Sequence, residues 1–326
     1  MAKMNMVQAL NSALALEMES NKDVVVLGED VGVDGGVFRV TEGLQTKFGK
    51  QRVIDTPLAE SGIIGASIGM AIYGLKPVAE VQFSGFIYPA FNQLVSHAAR
   101  IRNRTRGKYA SGLVVRTPCS GGVKALEHHS ESTEALFIHT PGLKVVMPAS
   151  PYDAKGLLAS AIRDADPVIF FEPLKLYRAY KEEVPEEMYS IPLGKAKVVQ
   201  EGSDVTLIAW GSMVKTCQEA LQLNAQNEKH SIELIDLRTL SPLDWDAVHK
   251  SVRKTGRCVI VQEAPKTLGL GAEIAARLAE EDLLSLKSPV VRVTGFDTMM
   301  PYFKLENYYI PSPERVLWGV KKAMEF

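Results

Sequence analysis

Short runs of β-branched and apolar residues alternate along this chain with longer segments whose apolar positions recur every three or four residues. "DVVVLGED" (23–30), "KPVAEVQF" (76–83), "GLVVRTP" (112–118), "LKVVMPA" (143–149) and "PVIFFEP" (167–173) are near-continuous apolar runs. Such runs predict strands buried on both faces. Between them the periodicity predicts helices over 61–74, 86–104, 131–139 and 152–164. The opening "MAKMNMVQALNSALALEMES" is also helical in character, and it carries Glu17 and Glu19 where a signal peptide would be uncharged. Strand–helix alternation with short connections implies a parallel α/β sheet, with chemistry at the carboxyl ends of its strands.

After "FFEPLKLYRAY" the texture changes. Residues 181–204, "KEEVPEEMYSIPLGKAKVVQEGSD", are charged, proline-containing and weakly periodic, as expected of a linker and an entry strand. A second series follows, with strands expected over 205–212, 231–239, 257–264 and 289–295. Helices are expected near 213–228, 244–254 and 271–284. This reads as a smaller α/β domain of about four strands.

Composition narrows the class. With 326 residues, 46% of them hydrophobic and 23% charged, the chain is long enough for two globular domains. The formal net charge of −1 provides no global field toward nucleic acid or an anionic membrane. No apolar run reaches membrane-spanning length. Cys119, Cys217 and Cys258 are far apart and form no CxxC pair. They suit a reducing compartment, cytoplasm or mitochondrial matrix, rather than a disulfide framework.

Several stretches carry candidate chemistry. Gly62, Gly65 and Gly69 do not have dinucleotide-fingerprint spacing and do not follow a strand, so close helix packing is the better account of them. Glu60, in "DTPLAESGIIGASIGMAIYG" (55–74), is a lone acid at the start of an apolar helix. Either it complements the exposed N–H groups of the first turn or it is held for catalysis. His128 and His129, in "GGVKALEHHSESTEA" (121–135), follow a glycine-rich loop after a strand. Adjacent histidines are poor joint metal ligands, but one at an active-site edge can move protons near neutral pH. The cations at 100, 102, 104, 106 and 108 lack the aromatic interleaving of a nucleic-acid patch, and a solvated loop or subunit contact fits better. Phe83, Phe86, Tyr88 and Phe91 form either core or a platform for a planar ligand.

Taken in order, "LGEDVGVDGGVFRVTEGL", "RVIDTPLAESGI", "PVAEVQFSGFIYPAFNQ", "HHSESTEALFIHTPGLKVVMPASPYDAKGLL", "DPVIFFEPLKLYR" and "IELIDLRTLSPLD" span essentially the whole chain. This ordered set resembles the beta subunit of the decarboxylating component of 2-oxoacid dehydrogenase complexes. The resemblance implies a transketolase-like α/β fold, with a pyrimidine-binding domain over 1–190 and a transketolase C-terminal domain over 191–326. It implies thiamine diphosphate as cofactor, in an active site shared with an alpha subunit in an α2β2 tetramer. The chain has no GDG motif followed by an NN segment, and "VDGGVF" does not supply one. The Mg²⁺ and diphosphate site is therefore expected on the alpha subunit, leaving this chain inactive alone.

Residue by residue, the resemblance puts Glu60 against the aminopyrimidine, where its carboxyl promotes the imino tautomer that deprotonates the thiazolium. Phe86 matches the aromatic that packs on the pyrimidine, with Gln82 and Leu58 beside it. His129 matches the active-site histidine that serves acyl transfer to lipoamide, and His128 is a neighbour. Leu113, Ala161, Ile162, Asp164 and Asp166 match a structural potassium site built largely from main-chain oxygens. The C-terminal domain matches the surface that docks the peripheral-subunit-binding domain of the lipoyl-acyltransferase core, with Phe326 a contributor. Phe86 and "LKLYRAY" favour pyruvate, with branched-chain 2-oxoacid or acetoin as alternatives. A single-chain transketolase or deoxyxylulose-phosphate synthase relative conflicts with the missing diphosphate motif. A non-catalytic scaffold has no need of Glu60, Phe86 and His129 together.

Overall fold

The computed structural model describes residues 1–226 and 230–326. The strands are β1 (Ala2–Met4), β2 (Val24–Gly28), β3 (Val53–Asp55), β4 (Lys76–Glu80), β5 (Val114–Cys119), β6 (Lys144–Val146) and β7 (Val168–Pro173). They continue as β8 (Glu182–Val184), β9 (Lys197–Gln200), β10 (Val205–Ala209), β11 (Ile232–Asp236), β12 (Thr239–Ser241), β13 (Cys258–Val261) and β14 (Val291–Val293). Seven strands form one sheet in the order β12-β6-β7-β5-β4-β2-β3, parallel except for β12. Five form a second sheet, β14-β13-β10-β11-β9, parallel except for β9.

The period-two alternation within the strands builds the layers. Val26, Val78, Val114 and Phe170 point to one face of the first sheet, against the helices Met6–Ser20 and Pro151–Arg163. Leu27, Ala79, Val115 and Ile169 point to the other, where they join Ile64, Ile68 and Leu94. That second cluster runs on through Ile208, Ile235 and Ile260 of the smaller sheet and Trp210 just past β10, so both halves share one continuous core.

The expected parallel α/β series is present, with instructive differences. The single helix expected over 86–104 is divided: a 3₁₀ turn over Ser84–Ile87, a helix Tyr88–Ser96, a 3₁₀ turn Ala98–Arg100 and a short helix Ile101–Arg104. Pro89 in the first turn sets the start of Tyr88–Ser96, since its fixed φ and missing N–H suit that position. The helix expected over 131–139 covers only Glu134–Ile138. Before it, the Glu131 carbonyl accepts from Ser84 Oγ at 2.8 Å and the Ser120 N–H at 2.9 Å instead of continuing a helix. The helix expected over 213–228 is Ser212–Gln226, and its last two expected positions lie outside the described residues. The second sheet has five strands, not four, because β9 joins it from the linker, while β8 pairs back onto β1.

Of the glycines in Glu60–Tyr73, Gly65 faces another helix, with a built Cβ 3.7 Å from Gln93 Oε1, and Gly62 meets only Ala59 Cβ, at 3.7 Å, just before its own helix. A Cβ on Gly69 would meet nothing, and Gly62, Ala66 and Gly69 lie on an exposed face. The expected close packing is therefore met on one flank only. Among the described residues no helix is long and apolar enough to cross a membrane.

Candidate functional site

Four neighbouring parallel strands, β3, β2, β4 and β5, deliver the candidate residues from their carboxyl ends. Past β3, the chain runs through the exposed Leu58 to Glu60, the first residue of the helix Glu60–Tyr73. Glu60 is half-buried, and no donor among the described residues bonds its side chain. Past β2 come Glu29 and Asp30. The Glu29 carboxyl is held above its usual range by burial, then by the nearby negative charge of Glu60 and Asp30. Past β4, Gln82 Nε2 donates to Asp30 Oδ2 at 3.1 Å, and the 3₁₀ turn carries Phe86.

Past β5, the segment 120–131 carries the histidines in a 3₁₀ turn, Glu127–His129. The His129 ring stands edge-on to Phe83, centroids 4.4 Å apart, and to Phe86 at 5.1 Å. Its Nδ1 is buried without a hydrogen-bond partner among the described residues. The His128 ring also lies against Phe86, centroids 5.4 Å apart, with its Nδ1 3.2 Å from Glu131 Oε1, and Glu131 also accepts the Tyr88 hydroxyl. The unpartnered imidazole nitrogen, the half-buried unbonded carboxylate and the partly exposed aromatic ring Phe86 fit a planar heterocyclic cofactor.

The structure thus brings Phe86 and His129 into contact, links Gln82 to them through β4, and sets Glu60 beside Glu29 two strands away. Leu58 is 79% exposed. Of the aromatic cluster in "QFSGFIYPAF", Phe83 is nearer to His129 than Phe86, the ring to which the resemblance points. Glu29 and Asp30 follow a strand end directly, the signal that could have marked them.

Behind these strand ends Arg116 is 1% exposed between two carboxylates. It donates to Glu172 through Nε at 2.7 Å and Nη2 at 2.8 Å, and to Glu80 through Nη1 at 2.7 Å. Tyr177 donates its hydroxyl to Glu172 and stacks toward Phe38, which in turn touches Phe83. A cavity of 1650 Å³ opens on the other side of the histidine segment, walled by Phe91, Leu136, Trp245 and Met300, and contains none of Glu60, Phe86 or His129.

Several oxygens at the expected potassium positions accept hydrogen bonds from this chain's own groups. The Asp164 carbonyl accepts from Lys76 Nζ at 2.8 Å, and its carboxylate accepts from Lys144 Nζ at 2.6 Å and the Asp166 N–H at 2.9 Å. Asp166 accepts from Arg102 at 2.6 Å. The Leu113 carbonyl is taken by the Val168 N–H, and that of Ala161 by the Asp164 N–H. Ile162 is buried beside them. Lys76, Lys144 and Arg102 thus place three side-chain cations at this turn. Among the described residues no cluster of three or more His, Cys, Asp or Glu is arranged to hold a metal.

Comparison with known proteins agrees with this architecture. Residues 2–179 match the transketolase pyrimidine-binding domain, and residues 194–316 match the transketolase C-terminal domain. The chain is 52% identical over 322 residues to the pyruvate dehydrogenase E1 component subunit beta of Acholeplasma laidlawii, covering 99% of this chain and 98% of that one. It is 51% identical to the protein of the same name from Staphylococcus epidermidis, with all of both chains covered. A solved split-gene transketolase, described as an inactive beta4 tetramer, superposes with a TM-score of 0.81 at 23% identity, covering 99% of each chain, which is a likeness of fold. The chain belongs to the family of E1-component beta subunits, built from a transketolase-type pyrimidine-binding domain and a transketolase C-terminal domain.

Proposed function

We propose that this chain is the beta subunit of a pyruvate-decarboxylating E1 component, working in the cytoplasm with an alpha subunit in an α2β2 assembly. The carrying observation is that Glu60, Gln82, Phe86 and His129 follow the carboxyl ends of β3, β4 and β5, with Glu29 and Asp30 after the intervening β2. We place the domain boundary near residue 190. Thiamine diphosphate, when bound, supplies the electron sink for decarboxylation, with its diphosphate and Mg²⁺ held by the alpha subunit.

This chain's residues serve the pyrimidine end and the later proton transfer. Glu60, without a hydrogen-bond partner among the described residues, is available to hydrogen-bond the pyrimidine ring, while burial and the charges of Glu60 and Asp30 hold the Glu29 carboxyl beside it above its usual range. Phe86 offers a partly exposed face for ring packing. His129, packed against Phe83 and Phe86, presents an imidazole that can move a proton as the acyl group passes to a lipoyl domain. The lipoyl-acyltransferase core docks on the C-terminal domain, where Phe326 is 78% exposed beside a groove lined by Leu283 and Leu286.

Co-expression with the alpha subunit, followed by 2-oxoacid-dependent dye reduction, tests the reading. Pyruvate is expected to outrun 2-oxoisovalerate and acetoin, and the beta chain alone is expected to be inactive. In the assembled enzyme, Glu60→Gln is expected to abolish exchange of the thiazolium C2 proton while leaving assembly intact. Wild-type exchange in that variant would remove Glu60 from its role.

A further inference from the structure

The segment that carries His129 is held from a direction the active site does not use. Its base is closed: the Ser120 N–H donates to the Glu131 carbonyl at 2.9 Å, and the Ser120 and Ser132 hydroxyls are 3.2 Å apart. Just inside that base the backbone is unusual. Ser120, Gly122 and Lys124 have φ of 69°, 98° and 58°, so two non-glycine residues adopt the left-handed region within five positions. Such conformations cost free energy and persist only where the surroundings over-determine them.

The surroundings that do so belong to the C-terminal half. Glu263 Oε1 accepts the Gly121 N–H at 2.5 Å, while its Oε2 is held by the Ser212 hydroxyl at 2.9 Å. Glu306 Oε1 accepts both the Gly122 N–H at 2.8 Å and the Lys124 N–H at 3.2 Å. Both acids are buried, at 4% and 1% exposure, and neither is ion-paired with a cation in the described residues. Burying a carboxylate without a counter-ion is costly, and charge-assisted bonds to backbone N–H groups are the compensation on view. Side chains at the gripped glycines would collide: a Cβ on Gly121 would lie 2.8 Å from Met300 Cε, and one on Gly122 2.8 Å from the Lys175 side chain.

We propose that Glu263 and Glu306 are positioning residues that clamp the 120–131 segment onto the C-terminal domain and thereby set His129 against Phe83 and Phe86. The inference rests on the role proposed above for His129. The C-terminal domain is then part of the catalytic apparatus, since it fixes the segment in register from the side opposite the cofactor. Loss of the clamp frees the left-handed backbone to relax, and the imidazole loses its orientation while Glu60, on other strands, is untouched.

The test uses the assembled alpha–beta enzyme and three readouts: hydrogen exchange of the 121–131 amides, thiazolium C2 proton exchange, and acyl transfer to a lipoyl domain. Glu306→Leu is expected to speed amide exchange about tenfold or more and to lower kcat for acyl transfer about tenfold, with KM for pyruvate and C2 exchange changed less than about twofold. Glu306→Gln keeps an acceptor oxygen and is expected to restore most of both losses. Unchanged amide exchange in Glu306→Leu, equal losses in both variants, or a parallel fall in C2 exchange overturns the proposal. If Glu306→Leu does not assemble, Glu306→Gln and Glu263→Gln carry the comparison: faster exchange confined to 121–131 supports the clamp, and wild-type exchange in both overturns it. A His129→Ala enzyme with full acyl transfer would refute the histidine's role while leaving the exchange result to stand by itself.

Discussion

Gly85 lies directly against the backbone of His128: a Cβ built on it would come 2.1 Å from the His128 carbonyl oxygen and 3.2 Å from its Nδ1. The turn after β4 and the histidine segment after β5 are therefore in backbone contact, which is how Phe83 and Phe86 reach the His129 ring. Gly85→Ala must displace one of these two segments. Overpacking of this kind costs about 1–3 kcal/mol, too little to unfold an assembled enzyme of this size but enough to move the imidazole. Acyl transfer is expected to fall at least about tenfold with assembly retained, and steady-state kinetics on the assembled enzyme check it. Unaltered kinetics would show that the contact is not transmitted to His129.

Much of this was legible in the sequence because it depends on local pattern. Short β-branched runs such as Val24–Leu27 and Val168–Phe171 read as strands buried on both faces, and the rule for parallel sheets then places chemistry at their ends. Glu60 at a helix start was readable for the same reason. What pattern could not show was the reach between distant segments. Ser84 taking the Glu131 carbonyl, or Glu263 and Glu306 gripping 121–124, spans tens to nearly two hundred residues and leaves no period behind. β12 is likewise invisible as a partner of β6, since three residues have no pattern and the pairing joins opposite halves of the chain.

Arg116 holds Glu80 and Glu172 together out of water. Arg116→Met keeps the bulk of the side chain but leaves two buried carboxylates without a counter-charge. Removing one partner of such a buried ion cluster costs about 3–5 kcal/mol. Chemical unfolding is expected to show a loss of that order. Combining Arg116→Met with Glu80→Gln and Glu172→Gln is expected to recover a large part of it, because the charges that needed compensation are gone.

Lys76 and Asp164 bear on ion dependence. With the Lys76 ammonium 2.8 Å from the Asp164 carbonyl oxygen, the positive charge at this turn is covalently supplied. Exchanging potassium for sodium or choline is expected to leave the thermal unfolding of the assembled enzyme unchanged. Lys76→Met removes that charge and is expected to lower the unfolding temperature, with part of the loss regained on adding potassium. A wild-type enzyme that loses stability without potassium would show that an ion is needed alongside the ammonium.

Asp236 supplies a pH dependence with a definite sign. Burial, reinforced by the charge of Asp153, pushes its carboxyl up from 3.8 to about 7. The fold thus favours the protonated acid. Its contribution is fully present below the unfolded value near 4 and is lost as pH rises through about 7. At full expression the rise corresponds to roughly 4 kcal/mol as an upper bound. Asp236→Asn stays uncharged and keeps an oxygen to accept the Arg238 N–H, which is 2.9 Å from Asp236 Oδ1. The variant is therefore expected to match the wild type near pH 4, to gain stability over it as pH rises toward 7, and to level off above that. Glu263, raised to about 7 mainly by burial, adds a background slope that both proteins share. Denaturant unfolding at pH 5, 6, 7 and 8 checks the difference: parallel curves would mean that Asp236 is already ionised in the fold, with Arg238 and Lys197 outweighing its burial.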